Sequence, residues 1–556
     1  MEGSEALSKP ENSDEKLTKK LSCKDISESP PRILKEQEGD RTEYPGLFRL
    51  SLIVLALTLS LFLVGLDNTI LSTAIPKITD QFHALGDVGW YASSYLLTTC
   101  AFQLMWGKLY TFYPIKWTYL TALFIFEIGS LICGVAPSST ALIVGRAIAG
   151  VGSGGLSSGA FLTVAHSVPP RQRSTLIGLV GGMYGFAAIA GPLMGGAFTD
   201  NPKLTWRWCF YINLPFGLLV AVIIFFFIPT VGTDTAGRVS FKDQIKQMDL
   251  LGTACMLPGV ICLVLALQWG GTKYQWNNGR IITLLVIATV LLTCFVLAQI
   301  HSGERATVPV RVFLNRNIWG SALFGAGIVS SFFVMLYYIP IWFQAIKEAS
   351  AIKSGVMNLP MVLSFVLFSF LGGTLTSVIG HYVQFVYLTV VFMAIGSGLL
   401  TTLEVDSGHP EWIGYQFIFG AGVGFGLQSA LTAAQTALPL NDIPIGTAII
   451  MFSENLASAI MVSVAQNTFT NQLVINLSES VPSLDPNMIL DAGATQIKNI
   501  VPRESYRVVL VAYNRSLTHT FYVCVGLSCA AILGVVWLEW LSVKGDKKET
   551  KYQSTK

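Results

Sequence analysis

The chain has 556 residues, of which 52% are hydrophobic and only 12% charged, with a formal net charge of +3. Soluble chains carry about 25% charged residues, so a water-soluble enzyme is excluded, and the near-neutral balance excludes a nucleic-acid binder. The six histidines and nine cysteines form no CxxC, HxxxH or HExxH group, which leaves no metal or cofactor site in view.

The first 46 residues are polar and contain no apolar h-region, so they predict a disordered cytosolic tail rather than a cleavable signal peptide. From there the apolar runs predict an all-α polytopic membrane protein with fourteen transmembrane helices, each about 20 residues or longer. The expected spans are 50–74, 88–110, 117–136, 140–168, 174–198, 209–229, 248–270, 280–301, 317–343, 355–380, 383–403, 411–438, 445–469 and 520–541. Lys and Arg mark the cytosolic side of short loops. Lys16, Lys19, Lys20 and Lys24 precede span 1, Arg171 and Arg173 follow span 4, and Arg238, Lys242 and Lys246 follow span 6. Arg305, Arg311 and Arg316 follow span 8, and Lys544, Lys547 and Lys548 follow span 14. All fall on one side; Lys203, Lys273 and Lys347 are exceptions. Both termini are therefore expected inside and a long loop, 470–519, outside. That loop carries Asn476-Leu-Ser478 and Asn514-Arg-Ser516, two N-glycosylation sequons.

"AGVGSGGLS" from Ala149 matches "AGVGFGLQS" from Ala421 without gaps, and Thr175 and Ile177 match Thr447 and Ile449 at the same offset. The two stretches occupy the fourth span of two six-helix units if two helices are inserted between them. The expected organisation is a tail over 1–46, a six-helix half over 47–230, two inserted helices over 231–301, a second six-helix half over 302–541, and a cytosolic tail over 542–556. Parallel repeats of this kind place a substrate site between the halves.

"LDNTILSTAIP" (66–76), "GKLYTFYPIKW" (107–117), "LIVGRAIAGVGSGG" (142–155), "GFAAIAGPLMGG" (185–196) and "WRWCFYINLPFG" (206–217) follow one another along the first six spans. On these motifs the chain resembles the major facilitator superfamily, and within it the fourteen-span drug:proton antiporters, especially fungal toxin and multidrug efflux pumps. The resemblance implies a monomeric exporter of an amphipathic small molecule driven by protons, in the cell membrane or in a vacuolar or vesicle membrane. It makes Gly185, Gly191, Pro192, Gly195 and Gly196 the antiporter motif. Two departures stand out: Tyr110, Thr111 and Phe112 fill the centre of the 107–117 motif, leaving Lys108 and Lys116, and Glu454 stands where the family more often carries a neutral amide. Within transporters, an importer or a siderophore carrier is the alternative; outside them, a membrane enzyme or other non-transporting polytopic protein. No GxxxxGK[ST] loop points to ATP.

Ionisable residues inside a membrane are expensive and mark pathways. Asp67 and Arg146 fall at comparable depth in spans 1 and 4, which run in opposite directions, and Glu127 and Glu454 sit near the middles of spans 3 and 13. These four are the candidates for proton coupling, with Asp67 as the exchanging carboxylate. Gln103, Gln344, Asn358, Gln428 and Gln435 are polar residues placed to line a cavity or to link helices.

Overall fold

The computed structural model describes residues 45–82, 88–201, 203–228, 249–271, 274–482 and 501–544, with isolated positions between 484 and 498. The N-terminal tail, the loop bearing Arg238, Lys242 and Lys246, and most of the C-terminal tail lie outside the described residues.

The apolar runs fold into long helices: α1 (Leu47–Thr69), α2 (Val88–Phe112), α3 (Ile115–Val135), α4 (Ser139–Ser167), α5 (Pro170–Asp200), α6 (Asn213–Phe227) and α7 (Leu250–Trp269). The second part of the chain continues with α8 (Gly279–Ser302), α9 (Arg316–Ile346), α10 (Leu359–Ile379), α11 (Val383–Leu400), α12 (His409–Gly426), α13 (Ile443–Ser480) and α14 (Tyr506–Ala530). Short helices adjoin several of them, including Leu71–Phe82 after α1 and Ser429–Ala437 after α12. Side-chain caps set several starts by satisfying N–H groups that the first turn leaves unpaired. Ser138 Oγ accepts from Ala141 N at 3.3 Å, Asn278 Oδ1 from Arg280 N at 3.0 Å, and Asp249 Oδ1 from Gly252 N at 2.9 Å. α10 ends on Gly380 in the left-handed region (φ 96°), which glycine enters without a Cβ clash.

Thirteen helices among the described residues are long and apolar enough to cross a membrane. The expected second span is also a helix, α2, but it is not among those thirteen. Its Tyr91, Tyr95, Thr99 and Gln103 are buried, so polar groups that would be costly against lipid face other helices instead.

The largest correction falls on the 470–519 connection. α13 has 38 residues and runs on to Ser480, and α14 starts at Tyr506 rather than near 520. At 1.5 Å per residue α13 is about 57 Å long, against a hydrocarbon core of about 30 Å. Its second half reads as polar because only one stripe, Phe469, Leu473 and Leu477, is buried. That i, i+4, i+8 stripe packs on the first turns of α14, with the Phe469 and Tyr513 rings 5.3 Å apart. Both sequon asparagines are held by side-chain hydrogen bonds, Asn476 within this pairing and Asn514 to other segments. Asn476 Nδ2 donates to Ser516 Oγ at 2.8 Å, and Asn514 Nδ2 donates to Leu403 O at 2.9 Å while Asn514 Oδ1 accepts from Trp342 Nε1 at 2.7 Å. Each residue is buried in the folded protein.

α12 gives way at Leu427–Gln428 to the helix Ser429–Ala437, whereas α4, its expected counterpart, is unbroken over 29 residues. α5 runs continuously through Pro192. In this arrangement α2 packs along α13 and α5 along α10, bringing the first six helices against the last six. α7 and α8 pair with each other, and α8 is largely exposed.

Candidate functional site

Asp67 lies two residues before the end of α1 and is fully buried. A buried charge is tolerated only when paired and hydrogen-bonded, and the neighbouring helices supply both. Arg146 of α4 makes an ion pair from Nη1 to Asp67 Oδ2 and also donates from Nη1 to the Asp67 carbonyl at 3.2 Å. Arg146 Nε donates to Tyr91 O at 2.8 Å, and its guanidinium carbon sits 4.3 Å from the centre of the Tyr95 ring. Asn213, the first residue of α6, donates from Nδ2 to Asp67 Oδ1 at 3.2 Å and to Ser130 Oγ of α3 at 3.1 Å. Both Asp67 oxygens are thus engaged. The two residues that the sequence places at one depth are in contact, and five helices, α1, α2, α3, α4 and α6, meet at the pair. Asn213 was not singled out from the sequence, although it is the lone amide in "WRWCFYINLPFG" as that segment enters an apolar helix.

Glu127 lies one turn before Ser130 on α3. Both of its carboxylate oxygens are buried without a hydrogen-bond partner, and a Cβ added at Gly217 of α6 would collide with them. It therefore sits beside the Asp67 network, separated from it by Ser130 and Asn213.

Glu454 is elsewhere. It belongs to α13 and lines a cavity between the first six and the last six helices that is continuous with solvent. Leu61, Val64 and Asn68 of α1, Ser153 and Phe161 of α4, and Tyr184 of α5 contribute one wall. Phe332 and Phe333 of α9, Phe365 of α10, Gln428, Met451 and Asn455 contribute the other. Asp67 and Arg146 do not line it; Asn68, next in the chain, does, and donates to Tyr184 Oη at 3.0 Å. Among the predicted polar liners, Gln428 reaches the cavity. Gln103 instead bonds Ser158 Oγ, Gln435 donates to Phe161 O at 3.2 Å, Gln344 donates to Ser354 Oγ at 3.1 Å, and Asn358 joins a short helix to α10.

At the end of the bundle where α2 turns into α3, the two sets of helices touch directly, and glycines make this possible. A Cβ at Gly107 of α2 would strike Ala448 and lie 3.1 Å from Pro444 O. On α5, Gly178 abuts Ser369 O and Gly181 abuts Gln428, while a Cβ at Gly185 would lie 2.5 Å from the Phe365 ring. Ser369 Oγ donates to Gly178 O at 3.1 Å, Thr175 Oγ1 lies 2.9 Å from Ser377 Oγ, and Arg173 Nη1 donates to Gln435 O at 3.4 Å. Further along α5, Gly191 faces Thr69 and Ile70 of the first span, Gly195 is buried, and Gly196 and Pro192 are half-buried. So Gly185 serves the contact with α10 while Gly191 serves the contact with α1. Lys108, buried beside this end, donates from Nζ to Ala306 O at 2.6 Å.

A bundle of apolar helices around a central cavity, sealed at one end by close helix contacts and carrying a buried ion pair beside it, is the form of a small-molecule carrier. The sequence profile of the major facilitator superfamily matches residues 57–462, and the chain belongs to that superfamily. It is 54% identical over 501 residues to the "MFS-type efflux pump MFS1" of Arthroderma benhamiae, covering 90% of this chain and 93% of that one. It is 48% identical over 516 residues to "Efflux pump aflT" of Aspergillus parasiticus, covering 93% and 100%. In fold it is similar to the human organic anion transporter MFSD10, with a TM-score of 0.56 at 13% identity over 88% of this chain and 99% of that one. The proton:xylose symporter XylE gives a TM-score of 0.55 at 15% identity over 88% and 95%. The chain is thus a multi-pass membrane transporter and not an enzyme.

Proposed function

We propose that the protein exports amphipathic small molecules from the fungal cytosol across the cell membrane, working as a monomeric proton antiporter with cytosolic termini. The cargo occupies the cavity between the first and last six helices, and the glycine-lined contact at the α2–α3 end is the cytosolic seal. Alternating access then consists of parting that seal and closing the opposite end. The similarity to fungal efflux pumps supports the direction of transport.

The observation that carries the coupling is the Asp67–Arg146 pair, buried on the flank of the cavity. Asp67 is stable ionised while Arg146 and Asn213 hold it. If rocking of α1 against α4 parts the pair, a carboxylate in a low-dielectric site must take up a proton. Because Asp67 is not in the cavity wall, proton and cargo communicate through helix position, by way of Asn68 and Tyr184, rather than by competing for one atom. Glu127, next to the same network, is the residue to which a proton released from Asp67 passes.

The test is uphill transport in membrane vesicles with an imposed pH gradient. Asp67→Asn keeps the protein in the membrane but abolishes gradient-driven accumulation, while Glu454→Gln remains gradient-dependent for an uncharged cargo. Wild-type accumulation rates in Asp67→Asn vesicles refute the coupling.

A further inference from the structure

We propose that the cavity selects cationic cargo, and that Glu454 is the residue that receives the positive charge. The inference rests on the export reading and narrows it to one substrate class: aromatic or other bulky apolar bodies that carry a permanent or protonated amine, amidine or onium centre.

The wall of the cavity carries one formal charge among its described lining residues, and that charge is Glu454. No Lys, Arg or His lines the cavity to neutralise it. Its Oε1 is buried without a hydrogen-bond partner. A carboxyl group can ionise there only with a counter-ion at hand, and a cation arriving with the cargo supplies one. The backbone is arranged to admit the carboxylate: Gly325 of α9 lies against it, and a Cβ there would stand 2.5 Å from Oε1.

The surroundings suit such a ligand. Phe332 and Phe365 stand 5.2 Å apart and Phe332 and Phe333 5.9 Å apart, with Tyr184 6.5 Å from Phe333 on the facing wall. Aromatic faces bind apolar bodies and also attract cations. Asn455 and Gln428 add neutral polar groups to the cavity wall for orientation. Asp67 offers no such place, because Arg146 and Asn213 already occupy its oxygens.

The experiment is equilibrium binding to the purified full-length transporter without any gradient, which separates recognition from coupling. The probes are tetraphenylphosphonium, a permanent cation, and triphenylphosphine oxide, an uncharged aromatic molecule of related shape. Wild-type protein is expected to bind the cation. Glu454→Gln is expected to weaken cation binding by about 10-fold or more, a difference of about 1.4 kcal/mol, and to change binding of the neutral probe less than about twofold; Glu454→Asp, which keeps the charge, restores part of the loss. Wild-type protein that does not bind the cation overturns the inference. So does an unchanged affinity in Glu454→Gln, which would mean that a neutral side chain suffices. A loss of both probes in Glu454→Gln that Glu454→Asp does not relieve also overturns it. Because the assay uses no gradient, uphill transport by Asp67→Asn in vesicles refutes the coupling scheme while cation recognition stands.

Discussion

Asp67 of the first six helices and Glu454 of the last six are both carboxylates set among packed helices, and their surroundings treat them in opposite ways. Asp67 has a guanidinium on one oxygen and an amide on the other, inside a knot of five helices. Glu454 has an oxygen with no partner and faces a cavity. A charge whose partners are all built in responds only when helices move, which suits a switch. A charge whose partner is missing responds to what enters, which suits a receptor. On the proposed function, the division gives the driving ion to one side of the transporter and the cargo to the other.

The sharpest break of this contrast is Arg146→Met. It leaves Asp67 buried without its cation, and removing one member of a buried pair costs about 3–5 kcal/mol. The yield of monodisperse protein in detergent is expected to fall severely, and the double variant Asp67→Asn/Arg146→Met to recover much of it. A single variant as stable as wild type would remove the built-in pairing as the basis of the comparison. Next in size is Gly325→Ala. The added methyl pushes the Glu454 carboxylate aside, so tetraphenylphosphonium affinity is expected to drop about three- to tenfold, with neutral-probe affinity held. The matching change on the other side, Gly217→Ala, presses on Glu127 and is expected to slow gradient-driven transport without altering binding of either probe. An effect of Gly217→Ala on cation binding would blur the two roles.

The smallest expected effect lies outside the membrane. Glu348 accepts from Lys498 Nζ at 2.6 Å and from Tyr506 Oη at 2.9 Å, and these bonds hold its carboxyl below the usual carboxylate value of 4.5. A lowered value in the folded state means that the stabilisation is complete above the ordinary range and is lost as pH falls through the lowered value. The pair is largely exposed, so it contributes at most about 1 kcal/mol. Tryptic cleavage after Lys498 is expected to speed up slightly in Glu348→Gln at pH 7. Wild-type protein held below pH 4, then assayed by hydrogen exchange, is expected to show the same loosening near Tyr506.

Much of this was legible in the chain. Apolar length gave the helices, and counting residues along two oppositely directed spans put Asp67 and Arg146 at one level. Depth, however, is only one coordinate of a side chain in a helix. The rotation about the axis, which turns Glu454 into the cavity and Glu127 toward α6, depends on packing that no single segment encodes. The internal repeat shows the same limit. Gly150 faces Tyr95 and Thr98 of α2, yet Gly422, its match in the gapless alignment, faces Met393 of α11. The composition of the two stretches serves one purpose, close packing, with a different rotation. The ends of α13 and α14 were misread because hydropathy registers contact with lipid. Those turns bury one stripe against each other and leave the rest polar, as in a soluble hairpin.

That hairpin has a practical consequence for imaging. A carrier whose mass lies almost entirely within a detergent belt gives particle images with little to align on. The last turns of α13, joined to α14 by Asn476–Ser516 and by the Phe469–Tyr513 rings, extend the molecule beyond the slab that detergent covers. They form an asymmetric landmark on one face, and a folded epitope against which an antibody fragment can be raised without touching the cavity.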